Sequence, residues 1–282
     1  MINATNLHLL RRQGFAQRHV DTPHGKLHVL DAAGRGDGPP VVLVHGLSGR
    51  GTSFRGVVPQ LLARVRRVLL PDLLGHGHSE VPSVPLSPTR LTESFAHSLD
   101  VLLDEPAVLF GNSLGAFHVV KYAAEKPDRV CGVVLCSPGG AKLSEGDFRG
   151  AQKMLQLDTH EDALTLVSRS VARPFGPVRH LIAKSLRQRL SVPHVRRFLD
   201  ELSLDDSLSP SDLGDLKMPV LMLWGTADTV YPRSAFDWFR SHLPGHAQVE
   251  EPDGFGHAAM IERPRELAAR LVTFLDDSGD RS

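Results

Sequence analysis

Ser113 lies in the stretch "VLFGNSLGAF", with Gly111 and Gly115 two positions away on either side. A serine hydroxyl can act as a nucleophile if the chain turns sharply beneath it and leaves its side chain exposed. The local pattern predicts such a turn. Ala107–Phe110 reads as a short buried strand, and Ala116–Ala124 as a helix that stops before Pro127. A strand that passes directly into a helix brings two backbones together. Side chains at positions 111 and 115 would collide there, and glycine avoids the collision. The apex residue is then held in a strained conformation of the kind that persists where function requires it.

The hydroxyl also needs a base to take its proton and a third group to orient that base. In an open α/β sheet such residues sit beyond the carboxyl ends of strands. Downstream of Ser113, "VLMLWGTADTVYP" supplies Asp228, four residues past the strand end at Trp224. "VEEPDGFGHAAMIERP" supplies His257, in a glycine-rich loop ahead of the last helix. The chain order Ser113, Asp228, His257 is the one that accompanies this type of nucleophile turn.

Other polar residues have different readings. "DLLGHGHSE" holds His76, His78 and Glu80, but no Asp-His pair or HExxH helix completes a metal set. A glycine-rich polar segment after a strand is a turn. Asp72 ends that strand and reads as the residue fixing the turn, with the triad acid as its alternative role. Asp253 and Glu262 flank the histidine loop as local hydrogen-bond partners, and His118 packs behind Ser113. The chain is expected to use no metal and no organic cofactor.

The elements that would position these residues alternate. "FAQRHVDTPHGKLHVLDAAG" predicts an antiparallel pair turning at Pro23–Gly25. "PPVVLVHG" and "RRVLLPD" are buried strands separated by a helix near Ser53–Ala63. A second helix spans about Ser87–Leu103, and "RVCGVVLCSPGG" follows the helix after Ser113. Between Gly140 and Lys217 the pattern is helical, broken at Pro174–Pro177 and Pro193. It then returns to a strand in "MPVLMLWGTAD", a helix at Ser234–His242, a strand in "AQVEE" and a helix at Met260–Phe274. This order predicts an α/β fold: a mostly parallel sheet flanked by helices, with residues 1–139 and 218–282 forming one core and 140–217 a helical cap.

Lys+Arg and Asp+Glu number 32 each among 282 residues, so no global charge points to nucleic acid or a membrane surface. The N-terminal stretch "MINATNLHLLRRQGFAQ" holds no signal-length apolar segment, and no later stretch is long enough to span a bilayer. No stable membrane anchoring is expected. Cys131 and Cys136, five apart on a strand, are expected on opposite faces and unbridged. Two free thiols fit a cytoplasmic protein.

Five segments, "LVHGLSG", "PDLLGHGHS", "GNSLGA", "WGTADTVYP" and "GHAAMIERP", together resemble the α/β-hydrolase family over nearly the whole chain. The resemblance implies an eight-stranded sheet with Ser113 as nucleophile, Asp228 as acid and His257 as base. An oxyanion hole needs two backbone N–H groups. One is expected from Leu114, at the start of its helix, and the other from Leu47 in "HGLSG", with His45 as a turn residue. The implied activity is hydrolysis of a small-molecule carboxylic ester through an acyl-enzyme. Serine at position 113 argues against the dehalogenase and epoxide-hydrolase branches, whose nucleophile is an aspartate. "GNSLG" also resembles the elbow of carbon–carbon bond hydrolases of aromatic ring-cleavage products. That activity, a cofactor-free perhydrolase, and a non-catalytic ligand-binding protein remain open alternatives. In the cap, eight Lys or Arg and no acid fall between Ala163 and Leu199. That stretch is either a solvated face neutralised by the acids from Asp200 to Asp215, or an attractor of acid-bearing substrates through Arg169, Arg173, Arg179, Lys184, Arg187 and Arg189.

Overall fold

Eight strands build one sheet: β1 (Ala16–Thr22), β2 (Gly25–Ala33), β3 (Val41–Val44), β4 (Arg67–Pro71), β5 (Ala107–Asn112), β6 (Val130–Cys136), β7 (Val220–Leu223) and β8 (Gln248–Glu250). Their order is β1-β2-β4-β3-β5-β6-β7-β8. β1 pairs antiparallel with β2, and β2 with β4; the remaining pairs are parallel. The computed structural model describes residues 2–173 and 175–279. Pro174, part of one predicted break, lies outside the described residues, as do Met1 and 280–282.

The continuous apolar runs are explained by cover on both faces. Val42 and Val44 of β3 point into one core with Leu91, Phe95 and Leu99 of the helix Pro88–Leu102, Tyr122 of the helix Leu114–Glu125, and Phe236 of the helix Arg233–His242. Val41 and Leu43 point the other way, against Leu10, Leu61 and the C-terminal helix Pro264–Gly279 with Leu267, Leu271 and Phe274. The helix Pro88–Leu102 starts where the sequence predicts a start. Ser87 Oγ accepts the Arg90 N–H at 3.3 Å, and Pro88 follows at a position with no helical acceptor to lose.

Three expectations need correction. The helix predicted over Ser53–Ala63 is instead a 3-10 turn, Gly51–Phe54, and one α-turn, Val58–Leu61. Pro59 cannot donate the hydrogen bond that would join them. The last helix is likewise split into Ala259–Glu262 and Pro264–Gly279, because Pro264 has no N–H to continue the ladder. Cys131 and Cys136 do not face opposite sides. Ala107 pairs with Val130 but Val108 with Gly132, so Cys131 is an extra residue in a bulge and joins the same core as Cys136. Both remain free thiols.

Between β6 and β7 the described residues contribute no strand. Helices Glu145–Leu155, His160–Ser170, Val178–Leu190, Pro193–Glu201 and Pro210–Gly214 follow one another there. Leu157, Leu166, Val167, Ala183, Val195 and Leu199 pack together with Val230 from the loop after β7, whereas Leu208, Leu213 and Leu216 pack with the sheet. No helix among the described residues is long and apolar enough to cross a membrane.

The junction of β5 with its helix is tighter than predicted, with Ser113 alone between them. Ser113 has φ 53° and ψ −119°. A Cβ on Gly111 would lie 2.4 Å from Ala116 Cα, and one on Gly115 2.5 Å from the Val44 carbonyl oxygen. These are backbone contacts that no side-chain shift can relieve. Gly115→Ala should therefore destabilise the fold by roughly 1–3 kcal/mol or more. Urea unfolding checks this; an unchanged midpoint would mean that the helix start can move away from β3.

Candidate active site

Each predicted triad residue sits just beyond a strand end: Ser113 after β5, Asp228 after β7, His257 after β8. His257 Nδ1 lies 2.9 Å from Asp228 Oδ2, and Asp228 Oδ1 accepts the Val230 N–H at 3.0 Å. Nδ1 therefore carries the donated proton, which leaves Nε2 as the basic nitrogen. Burial alone would raise the Asp228 carboxyl pKa, but the His257 charge and hydrogen bond hold it below the usual carboxylate value. The Asp228 carboxyl is therefore ionised at neutral pH.

Ser113 and His257 line the same cavity, of about 860 Å³, together with Leu47 and Leu114. The expected serine–imidazole hydrogen bond is not formed. Ser113 Oγ is instead 3.4 Å from the hydroxyl of Tyr231, whose ring meets the His257 ring edge-on at 5.5 Å. Tyr231 is absent from the predicted site, although it lies three residues past Asp228 in the quoted "TADTVYP".

Among the described residues no protein acceptor takes the Leu47 or Leu114 N–H. Leu114 heads its helix, where the dipole adds partial positive charge. Leu47 lies in a turn closed by the Gly49 N–H on the Gly46 carbonyl, with Ser48 at φ 58°. His45 braces this turn as expected. Its Nδ1–H donates to the Gly46 carbonyl at 2.7 Å, and its Nε2 accepts the Leu73 N–H at 3.0 Å. Asn112, beside Ser113, donates to the carbonyls of Cys136 at 3.1 Å and His257 at 3.0 Å, fastening the histidine loop to the strand–helix junction.

The competing residues have local tasks. Asp72 accepts from the Gly51 N–H at 2.6 Å, the His78 N–H at 2.8 Å and His28 Nδ1 at 2.9 Å. It fixes the turn and stands apart from His257. Glu80 accepts the Lys26 N–H, and His76 Nδ1 donates to the Leu74 carbonyl. No group of three or more His, Cys, Asp or Glu among the described residues could hold a metal ion. Asp253 accepts from Thr226, and Glu262 from the N–H groups of Ala172 and Gly256. His118 is buried behind Ser113 and bonded to Thr92. Of the six basic residues named above, Arg189 alone lines the cavity; Arg187 donates to the carbonyls of Leu157 and Asp158 instead.

A sheet of this order, with a serine at a strand–helix elbow and an Asp–His pair across it, defines a class of enzyme. Residues 39–264 match the family profile described as alpha/beta hydrolase fold, and the chain belongs to that family. It is similar to carboxylesterase YbfK of Bacillus subtilis, with 26% identity over 91% of this chain and 86% of the relative. It is also similar to a haloalkane dehalogenase of Mycobacterium marinum, with 28% identity over 90% of each chain. Among solved structures, 2-hydroxy-6-oxo-6-phenylhexa-2,4-dienoate hydrolase of a Rhodococcus strain superposes with a TM-score of 0.78. That match has 25% identity and covers 93% of this chain and 99% of the other.

Burial lowers His76 and His118 to about 3. Both stay neutral in the folded chain, whereas unfolded imidazoles take protons near pH 6.5. The folded-state value is the lower one, so stability is complete above about pH 6.5 and falls as pH drops through it. The slope is about 1.4 kcal/mol per pH unit for each histidine. Urea unfolding of wild type and His118→Gln at two pH values, one on each side of that point, should show the variant losing less stability on acidification. Parallel losses would mean that His118 protonates within the fold.

Proposed function

We propose that this chain hydrolyses carboxylic esters through an acyl-enzyme on Ser113. The observation that carries the reading is the Asp228–His257 pair, whose unprotonated Nε2 serves the cavity that Ser113 also lines. His257 Nε2 takes the Ser113 proton as Oγ attacks the ester carbonyl. The N–H groups of Leu47 and Leu114 receive the negative charge that develops on the carbonyl oxygen. The Asp228 carboxylate stabilises the imidazolium, which then gives its proton to the departing alcohol. Water, deprotonated by the same Nε2, releases the acid and restores Ser113. Residues 140–217 act as a cap over the two-part core, and the apolar lining from Leu155, Leu166, Val167 and Leu186 takes the acyl chain. No metal or organic cofactor takes part, and the free cysteines suit a cytoplasmic setting.

Carbon–carbon bond hydrolysis is the second reading, favoured by the Rhodococcus hydrolase likeness and by Asn112 before the serine. Against it, the Asn112 side-chain amide is already committed to two backbone carbonyls. A panel of aryl esters of graded chain length, run beside a vinylogous diketone, separates the two: turnover of the diketone alone would replace ester hydrolysis.

Ser113→Ala should lower ester turnover by at least about three orders of magnitude and abolish labelling by a fluorophosphonate. Wild-type-like turnover by this variant would sink the reading. Per folded molecule, Asp228→Asn should lose far more activity than Asp72→Asn, because only the first disturbs the imidazole's tautomer and charge. The reverse order would make Asp72 the acid.

A further inference from the structure

Three arginines line the Ser113 cavity; Arg55 is exposed to solvent, whereas Arg50 and Arg189 each hold a buried Nε that has no partner among the described residues. Arg50 lies three residues past Leu47, and Arg189 lies near the end of the helix Val178–Leu190, in the helical segment between β6 and β7. Both line the cavity, and the Nε atom of each is fully buried without a hydrogen-bond partner. Among the described residues neither guanidinium has an ion pair. Other arginines of the chain find carboxylates: Arg67 with Asp31, Arg196 with Asp158, Arg233 with Glu251. Among the described residues Asp206 is the one acid on the cavity wall, and it accepts from the N–H and hydroxyl of Ser203.

The two cations also feel each other. Burial lowers Arg189 to about 10, and the neighbouring Arg50 charge adds to the effect. Buried charged donors left unpaired are costly, and like charges nearby add to that cost. Such an arrangement is relieved by an oxyanion, whose lone pairs match the guanidinium fork. Ser185 and Gln188, on the same helix as Arg189 and on the same wall, offer further donors.

We infer that Arg50 and Arg189 form an anion subsite for a carboxylate or phosphate carried by the substrate itself, away from the carbonyl that Ser113 attacks. The subsite uses one residue from the loop of the oxyanion turn and one from the helical insertion. A bound anion therefore bridges the two parts of the cavity while the apolar lining holds the chain between them. Its use in turnover rests on the ester-hydrolase reading; its binding does not.

The test uses the full chain carrying Ser113→Ala, which holds esters without cleaving them, and reads binding by calorimetry. The probes are monomethyl suberate, dimethyl suberate, a methyl ester with a terminal phosphate in place of the carboxylate, and inorganic phosphate. The monoanion should bind at least tenfold more tightly than its neutral diester at low salt. That preference should fall at least tenfold when Arg50→Gln or Arg189→Gln is added. The phosphate-ended ester against the carboxylate-ended one tells which oxyanion fits better, and a preference for either supports the subsite. Inorganic phosphate binding as tightly as the phosphate-ended ester would overturn a substrate-borne anion. Equal binding of monoanion and diester would overturn the subsite. So would an unchanged preference in both arginine variants. Thermal unfolding gives an independent readout. Removing an unpaired buried cation should leave the midpoint level or raise it, and a fall of several degrees in both variants would make the arginines structural. Absence of ester turnover by the Ser113 enzyme, with this binding pattern intact, would count against the ester reading alone.

Discussion

The start of the helix Leu114–Glu125 is pressed against the carboxyl end of β3, and the site is built around that contact. Gly115 sits so close to the carbonyls of Val44 and His45 that nothing larger than hydrogen fits. The same closeness forces Ser113 into a positive φ, which turns its hydroxyl away from the sheet. It also brings the Leu114 amide beside the turn that carries Leu47. One backbone approach thus brings the Ser113 hydroxyl and two N–H groups together, and the strain is held by a sheet that is buried on both faces. Asn112 extends the arrangement sideways, since its amide ties the elbow to the carbonyl of His257.

Beneath this sits a second polar layer that performs no chemistry in the proposed reaction. Asp72 gathers the Gly51 and His78 amides and the His28 imidazole, and His45 bonds both its own turn and Leu73. These residues join the loops after β3 and β4 into one rigid rim. Burial would favour a neutral Asp72, but the His28 hydrogen bond and the Gly51 and His78 amides hold its carboxyl below the usual carboxylate value. A residue type that could serve in catalysis is spent here on holding a loop, and only its partners reveal the difference.

What was legible in the sequence follows from short-range sterics and chain order. Gly111, Ser113 and Gly115 announce their own geometry, and the order of Ser113, Asp228 and His257 along alternating elements places them at strand ends. The parallel sheet was readable because doubly covered strands are apolar throughout. The bulge at Cys131 was not, since it depends on how β6 pairs with β5. Tyr231 was quoted in a motif but had no spacing rule to mark it. Arg189 was one of six basic residues with similar surroundings in the chain, and only its place on the cavity wall separates it from Arg187. The breaks at Pro59 and Pro264 were readable in principle, because a proline inside a predicted helix removes a donor.

The end of the helix His160–Ser170 is stitched to both triad loops. The Arg169 carbonyl accepts the Thr229 N–H beside Asp228, and the Ser170 carbonyl accepts the Ala258 N–H beside His257, each at 3.2 Å. Glu262 adds a clamp, taking the Ala172 and Gly256 amides on its two oxygens. This corner is therefore a tether shared by both loops. Displacing it would pull on the Asp228 and His257 loops together, so the place of this helix end and the geometry of the Asp228–His257 pair are mechanically coupled.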